Sequence, residues 1–169
     1  MNIDTYIPEI HDNNVLINQL VEFVNTLSEQ QFNDSLDMGC GTVGAHVRHV
    51  IEHYQSLLNA NGTIDYDNRP RNALIETDKS EAISALNTIT LKLNHINTDK
   101  QVNVLCSTNL LITATNTLSS LRRELVFVHS HTTHHMAIIR ILALTMKLPI
   151  SLDFGKAAST QKFEQHVQF

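Results

Sequence analysis

Apolar residues recur along most of this chain at alternating spacings of three and four, the period of helices that bury one face. From Asp12 to Gln31 the inward set is Leu16, Leu20, Phe23, Val24 and Leu27, with Asp12 or Asn13 placed to cap the helix. Thr42 is placed to cap a second helix, whose stripe is Val43, Val47, Val50, Tyr54 and Leu57 and whose stop is Asn61-Gly62. Thr77 stands where a third would be capped. Its face is Ala82, Ile83, Leu86, Ile89, Leu93 and Ile96, and it ends near Asn97. The longest pattern runs from Ser119 to Leu144, with Leu121, Leu125, Val128, Thr132, His135, Ile139 and Leu142 on one seam. Ser119 or Ser120 caps it, and Pro149 closes the region after it.

Two stretches break this period. Residues 63–76 are irregular, with Asp65, Asp67, Arg69 and Arg71 crowded around Pro70, and Ile64, Tyr66, Leu74 and Ile75 available to anchor them as an ordered crossing. Between Lys100 and Thr117 the alternation changes to two: Val102, Val104 and Cys106 are interleaved with polar residues, and a second β-prone run, LLITAT, follows Ser107-Thr108-Asn109. That pattern predicts a small hairpin. The expected fold is therefore all-α: a four-helix bundle forming one domain over residues 1–169, with a β-hairpin inserted before the last bundle helix. The short loop over residues 35–41 predicts antiparallel first and second helices. The tail, with Phe154 and Gly155, is expected to pack back onto the bundle.

The chain is 169 residues long, which suffices for one domain with a substantial core. The net charge of -5 gives no general electrostatic case for nucleic-acid binding. The acidic start, broken by Pro8, does not read as a signal peptide, and the apolar run MAIIRILALTM carries Arg140 and is too short to span a bilayer. A cytoplasmic location is the default expectation. Two cysteines, Cys40 and Cys106, form no CxxC motif, so a disulfide framework is not indicated. Cys106 reads as a small packing residue and Cys40 as a loop residue.

Histidine is the abundant polar residue: seven of the ten fall in two short clusters, so their chemistry decides the functional reading. His131 and His135 are spaced i, i+4 and project from one helix face. Two stacked imidazoles in an apolar seam need partners for four ring nitrogens, and a metal ion satisfies both rings at once. A third imidazole would come from the second helix, where His46, His49 and His53 lie along one line. Three neutral imidazoles with an open position make a catalytic rather than a closed structural site. His134 points roughly 60° away from His131 on the wheel and His129 roughly 200° away, so His129 reads as a surface or supporting residue and His134 as a supporting one. Neither cluster contains HExxH, so a zincin protease is not indicated.

The pattern TVGAHVRHVIEHY, followed much later by HTTHHMAII, resembles the DinB/YfiT-like superfamily of metal-binding four-helix bundles. The resemblance covers nearly the whole bundle but is diffuse outside the histidines. It implies an up-down-down-up topology with a crossover between the second and third helices. It also implies a divalent ion (zinc, nickel or iron) held by one histidine about two turns after a Ser/Thr cap and an HxxxH pair in the last helix. The matching positions here are His49, His131 and His135. His49 also sits beside Val50 in the middle of its stripe, at mid-bundle depth. The tryptophan that often precedes the cap in that family is absent, and Cys40 and Gly41 stand there instead.

The resemblance further implies a metal-dependent enzyme performing thiol-dependent transfer or isomerisation, or hydrolysis. Glu124 lies two turns before His131 on nearly the same face, and Glu52 lies beside His49 and His53. Either could orient a ligand imidazole or act as a base on water at the ion, and Glu124 is the candidate catalytic residue. The alternative for each is a surface carboxylate paired with an arginine. The Asp65–Arg71 charges could bind a carboxylate or phosphate, but mutual pairing to hold the crossing is the favoured reading. A small-molecule substrate is the expected partner, with no nucleic acid or membrane and with a homodimer left open. The competing functional readings are a non-catalytic metal- or small-molecule-binding bundle, stress-related in role, and a bundle whose histidines satisfy one another.

Overall fold

The computed structural model describes residues 7–36, 39–109 and 114–167. The chain is mostly helical with a small three-stranded sheet. The long helices are α1 (Pro8–Thr26), α3 (Val43–Leu58), α5 (Lys79–Asn94) and α6 (Leu121–Thr145). Shorter ones are α2 (Glu29–Asn33), α4 (Ala73–Thr77) and α7 (Ala158–Val167). α1 and α3 each pack against both α5 and α6. The expected stripes form the core: Leu20, Val24, Val47, Val50, Tyr54, Leu86, Leu93, Leu125 and Ile139 are all fully buried.

Local chemistry sets the element ends. Thr42 accepts a hydrogen bond from the Ala45 amide and Ser120 from the Arg123 amide, as N-caps do. The helix expected to run from Asp12 to Gln31 breaks at Leu27, because Ser28 and Gln31 form a capping box that starts α2. Thr77 is not the cap of the following helix. Asp78 takes that role, since its carboxylate accepts from both the Ser80 and Glu81 amides. α3 and α5 end at Leu58 and Asn94, one turn or less before their expected stops.

The sheet differs from the expected hairpin. β2 (Gln101–Cys106) pairs antiparallel with β3 (Thr115–Ser120), which shares Thr115 with the expected 110–115 run; residues 110–113 of that run lie outside the described residues. β1 (Thr63–Asp65), from the crossing segment, adds a third strand parallel to β2, with Ile64 opposite Val104. The crossing is thus ordered by a ladder as well as by the burial of Ile64, Tyr66 and Ile75. Leu74 is exposed and anchors nothing, and Cys106, at the strand end, is exposed rather than packed. Phe154 does pack back, its ring centroid 5.1 Å from that of Phe23. Gly155 lies so close to α6 that a Cβ there would stand 2.5 Å from the Ala137 nitrogen. Among the described residues, no helix is long and apolar enough to cross a membrane.

Candidate metal centre

α3 and α6 pack together, and each carries histidines one turn apart on the face it turns to the other. Helical spacing makes each pair a ladder, and the packing of the two helices zips the ladders into one cluster. His49 and His53 have ring centroids 4.4 Å apart, His53 and His131 4.0 Å, and His49 and His131 5.0 Å. One nitrogen from each of these three lies within 4.8 Å of the others. His135 adjoins the group, 4.5 Å from the His49 ring and 4.6 Å from that of His131. The structure therefore brings His49 and His131 together as expected, puts His53 in the close trio, and sets His135 at its border.

The seam of α6 explains the position of His135. Thr132 is followed on the buried line by Met136, which is fully buried, so the methionine holds the seam and His135 flanks it, half-buried. The i, i+4 spacing that singles out His131 and His135 holds equally for His49 and His53. That repetition is the sequence signal for His53.

Hydrogen bonds fix three of the tautomers. The Nδ1 of His53 is 2.8 Å from the His49 carbonyl oxygen. A carbonyl only accepts, so Nδ1 carries the proton and Nε2 keeps its lone pair. The Nε2 of His46 donates in the same way to the Cys40 carbonyl at 2.8 Å. Its Nδ1 then accepts from the Nδ1 of His135 at 3.0 Å, which leaves the His135 Nε2 lone pair free. Cys40 thus acts through its backbone, not its sulfur. A ligating imidazole held at its other nitrogen by a carbonyl is the usual supporting arrangement at metal sites.

Burial keeps these rings neutral. It is the main cause that pushes His49 down to about 3, with the neighbouring charges of His53, Arg69, His131 and Arg48 adding to it. His53 and His131 are pushed down to about 4, again chiefly by burial. His135 falls to about 2, through burial first and then His131 and His49. His46 is also lowered by burial. Neutral imidazoles are the form that binds metal.

The donor set fits a divalent ion. The Nε2 of His131 is buried and has no hydrogen-bond partner, a donor atom that an ion in reach would satisfy. Imidazole suits zinc, nickel, iron and copper alike.

The carboxylates around the cluster are engaged elsewhere. Glu124 is buried, its Oε2 accepting from the Tyr66 hydroxyl at 2.9 Å and its Oε1 from the Ser119 hydroxyl at 2.6 Å. No hydrogen bond joins it to an imidazole among the described residues. It reaches the centre through Tyr66, whose ring stacks on His53 with centroids 5.5 Å apart. Glu52 is 1 % exposed, not a surface carboxylate, and accepts from the Asn72 amide at 2.8 Å. His129 and His134 line a separate depression with Thr133, Ala137 and Gly155, facing the C-terminal segment. The stacking of Tyr66 and the His46–His135 bond are not foreshadowed by any local spacing, because they depend on where the chain after β1 meets α3 and on how α3 packs against α6.

Comparison with protein-family models, curated proteins and solved structures found nothing that matches this chain.

Proposed function

We propose that the histidine cluster between α3 and α6 binds one divalent metal ion and that the protein is a metal-dependent enzyme of the DinB-like class, built on a four-helix bundle of α1, α3, α5 and α6. The observation that carries this reading is the buried, unpartnered Nε2 of His131 within 4.8 Å of donor nitrogens from His49 and His53. Support for the class comes from the sequence: the Thr42-capped helix with His49 and the HxxxH pair at His131 and His135.

A bound divalent ion supplies Lewis acidity, which makes an anion of a water or thiol near neutral pH. The chain's own residues supply the rest. Burial keeps the rings neutral and able to donate. The His49 carbonyl holds the His53 tautomer, and His46 holds that of His135. The reaction this suits is thiol-dependent transfer or isomerisation, or hydrolysis, on a small molecule.

One observation favours a second reading, a metal-binding bundle without turnover: both oxygens of Glu124, the carboxylate best placed in sequence to act as a base, are already held by Tyr66 and Ser119. Metal analysis of tag-free protein tests the ion, with one equivalent expected and none contradicting the proposal. A panel of thiol-transfer, ester and amide substrates, assayed with and without metal, separates enzyme from binder. Turnover abolished by chelation and restored by metal supports the first reading, and its absence throughout supports the second.

A further inference from the structure

The charges of the crossing segment do not pair with each other. Asp65 turns its Oδ1 to the backbone amides of Asp67 and Asn68, each at 3.0 Å. The Oδ2 of Asp67 accepts from the Ser107 amide at 2.7 Å. Among the described residues no ion pair joins these acids to the arginines beside them in sequence, and Arg69 folds inward, its side chain 13 % exposed.

Its only ion-pair partner among the described residues is Glu52, and the match is poor. The Arg69 Nε stands 3.8 Å from the Glu52 Oε2, beyond hydrogen-bond reach, and both atoms are buried without a hydrogen-bond partner. Glu52 is shared as well: its Oε1 takes the Asn72 amide and lies 4.0 Å from the Nε of Arg48. Arg48 pairs separately with Glu76 through Nη1 at 2.7 Å, although its Nε too is buried without a hydrogen-bond partner. Arg69 is thus a guanidinium held at low exposure with part of its charge and at least one donor uncommitted. Such a group is costly unless something completes it. It is also close to the centre, since its partner Glu52 stands on α3 between His49 and His53.

We propose that Arg69 is the anion-binding arm of the histidine centre, taking the carboxylate of a small substrate whose reacting group faces His49, His53 and His131. A planar guanidinium matches a carboxylate through two parallel N–H···O bonds. With Glu52 already offsetting part of the positive charge, a monoanion suits the site better than a dianionic phosphate. This inference rests on the metal reading above.

The test uses cobalt-substituted full-length protein and reads the absorption that appears when a thiolate joins cobalt. 3-Mercaptopropionate is titrated against 3-mercaptopropionamide, which has the same size without the charge. The expected result is at least fivefold tighter binding of the carboxylate, an advantage lost in Arg69→Gln while that variant still binds one cobalt and the amide. Arg69→Lys, which keeps a charge opposite Glu52, retains only part of the advantage and serves if the glutamine variant fails to fold. Equal binding of the two thiols, or an advantage that survives in both variants as a chelate at cobalt would, overturns the inference and leaves the metal centre standing. Failure of the wild-type protein to bind cobalt overturns the metal reading and this inference with it.

Discussion

At the scale of single residues, the centre is defined by which imidazole nitrogens are already committed. His53 and His135 each spend Nδ1 on a hydrogen bond and keep Nε2, whereas His131 has a buried Nε2 with no partner at all. The choice of histidines from sequence was legible for His49 and His131, because helical spacing and capping register fix their face. It was incomplete for His53, although the i, i+4 rule applied to it as well, and for His135, because whether Met136 or His135 holds the seam depends on the rotation of α6. Tyr66 offers a separate test of the support around the trio. Its hydroxyl donates to buried Glu124 while its ring lies on His53. Tyr66→Phe leaves the ring and deprives the carboxylate of a donor, so a loss of about 1–3 kcal/mol in stability is expected, with metal affinity little changed. Urea denaturation and metal titration of the variant measure the two effects. A large loss of affinity without loss of stability would mean the hydroxyl itself serves the centre.

At the scale of elements, the site depends on how the start of α3 is held. Gly44 lies against the Glu76 carbonyl and the Phe32 ring, and a Cβ there would collide with both. The absence of a side chain lets α4 lie on α3, where Glu76 reaches Arg48 and Asn72 reaches Glu52. Gly44→Ala is expected to destabilise the fold by about 1–3 kcal/mol, the usual cost of forcing atoms into a packed contact, readable as a lower denaturation midpoint. An unchanged midpoint would show that α4 is free to shift. The helices were readable because their burial repeats every three to four residues, and Thr42 and Ser120 both cap as expected; α1 instead starts at Pro8 with no side-chain cap, so Asp12 and Asn13 lie inside it rather than at its end. Thr77 and Asp78 are adjacent acceptors, and only the structure shows the carboxylate receiving two amides. β3 was misplaced because its sequence, TNTLSS, has almost no apolar alternation, and its residues are held by the register with β2 rather than by burial. β1 pairs across a long sequence interval, which no local pattern reveals.

At the scale of the whole molecule, burying a histidine cluster ties folding to pH. His49, His53 and His131 have pKa values of about 3, 4 and 4 in the folded protein, below the ordinary 6.5. Between those limits the unfolded chain binds protons that the folded one refuses. Metal-free protein should therefore be fully stable above about pH 6.5 and lose stability progressively as the pH falls towards 4. Denaturation midpoints across that range check it, and stability flat from pH 7 to 4 would mean the rings are hydrated. An ion bound only by the folded state adds about 2.7 kcal/mol at a hundredfold excess over Kd, so melts with metal and with chelator should separate by several degrees.

The measurement that bears most directly on the central claim is calorimetric titration of zinc into tag-free, chelator-treated protein, beside His53→Ala and His131→Ala. The expected result is one ion per wild-type chain, with stoichiometric binding lost in both variants while they remain helical. No binding by the wild type, or wild-type affinity retained in both variants, would contradict a metal centre at these histidines.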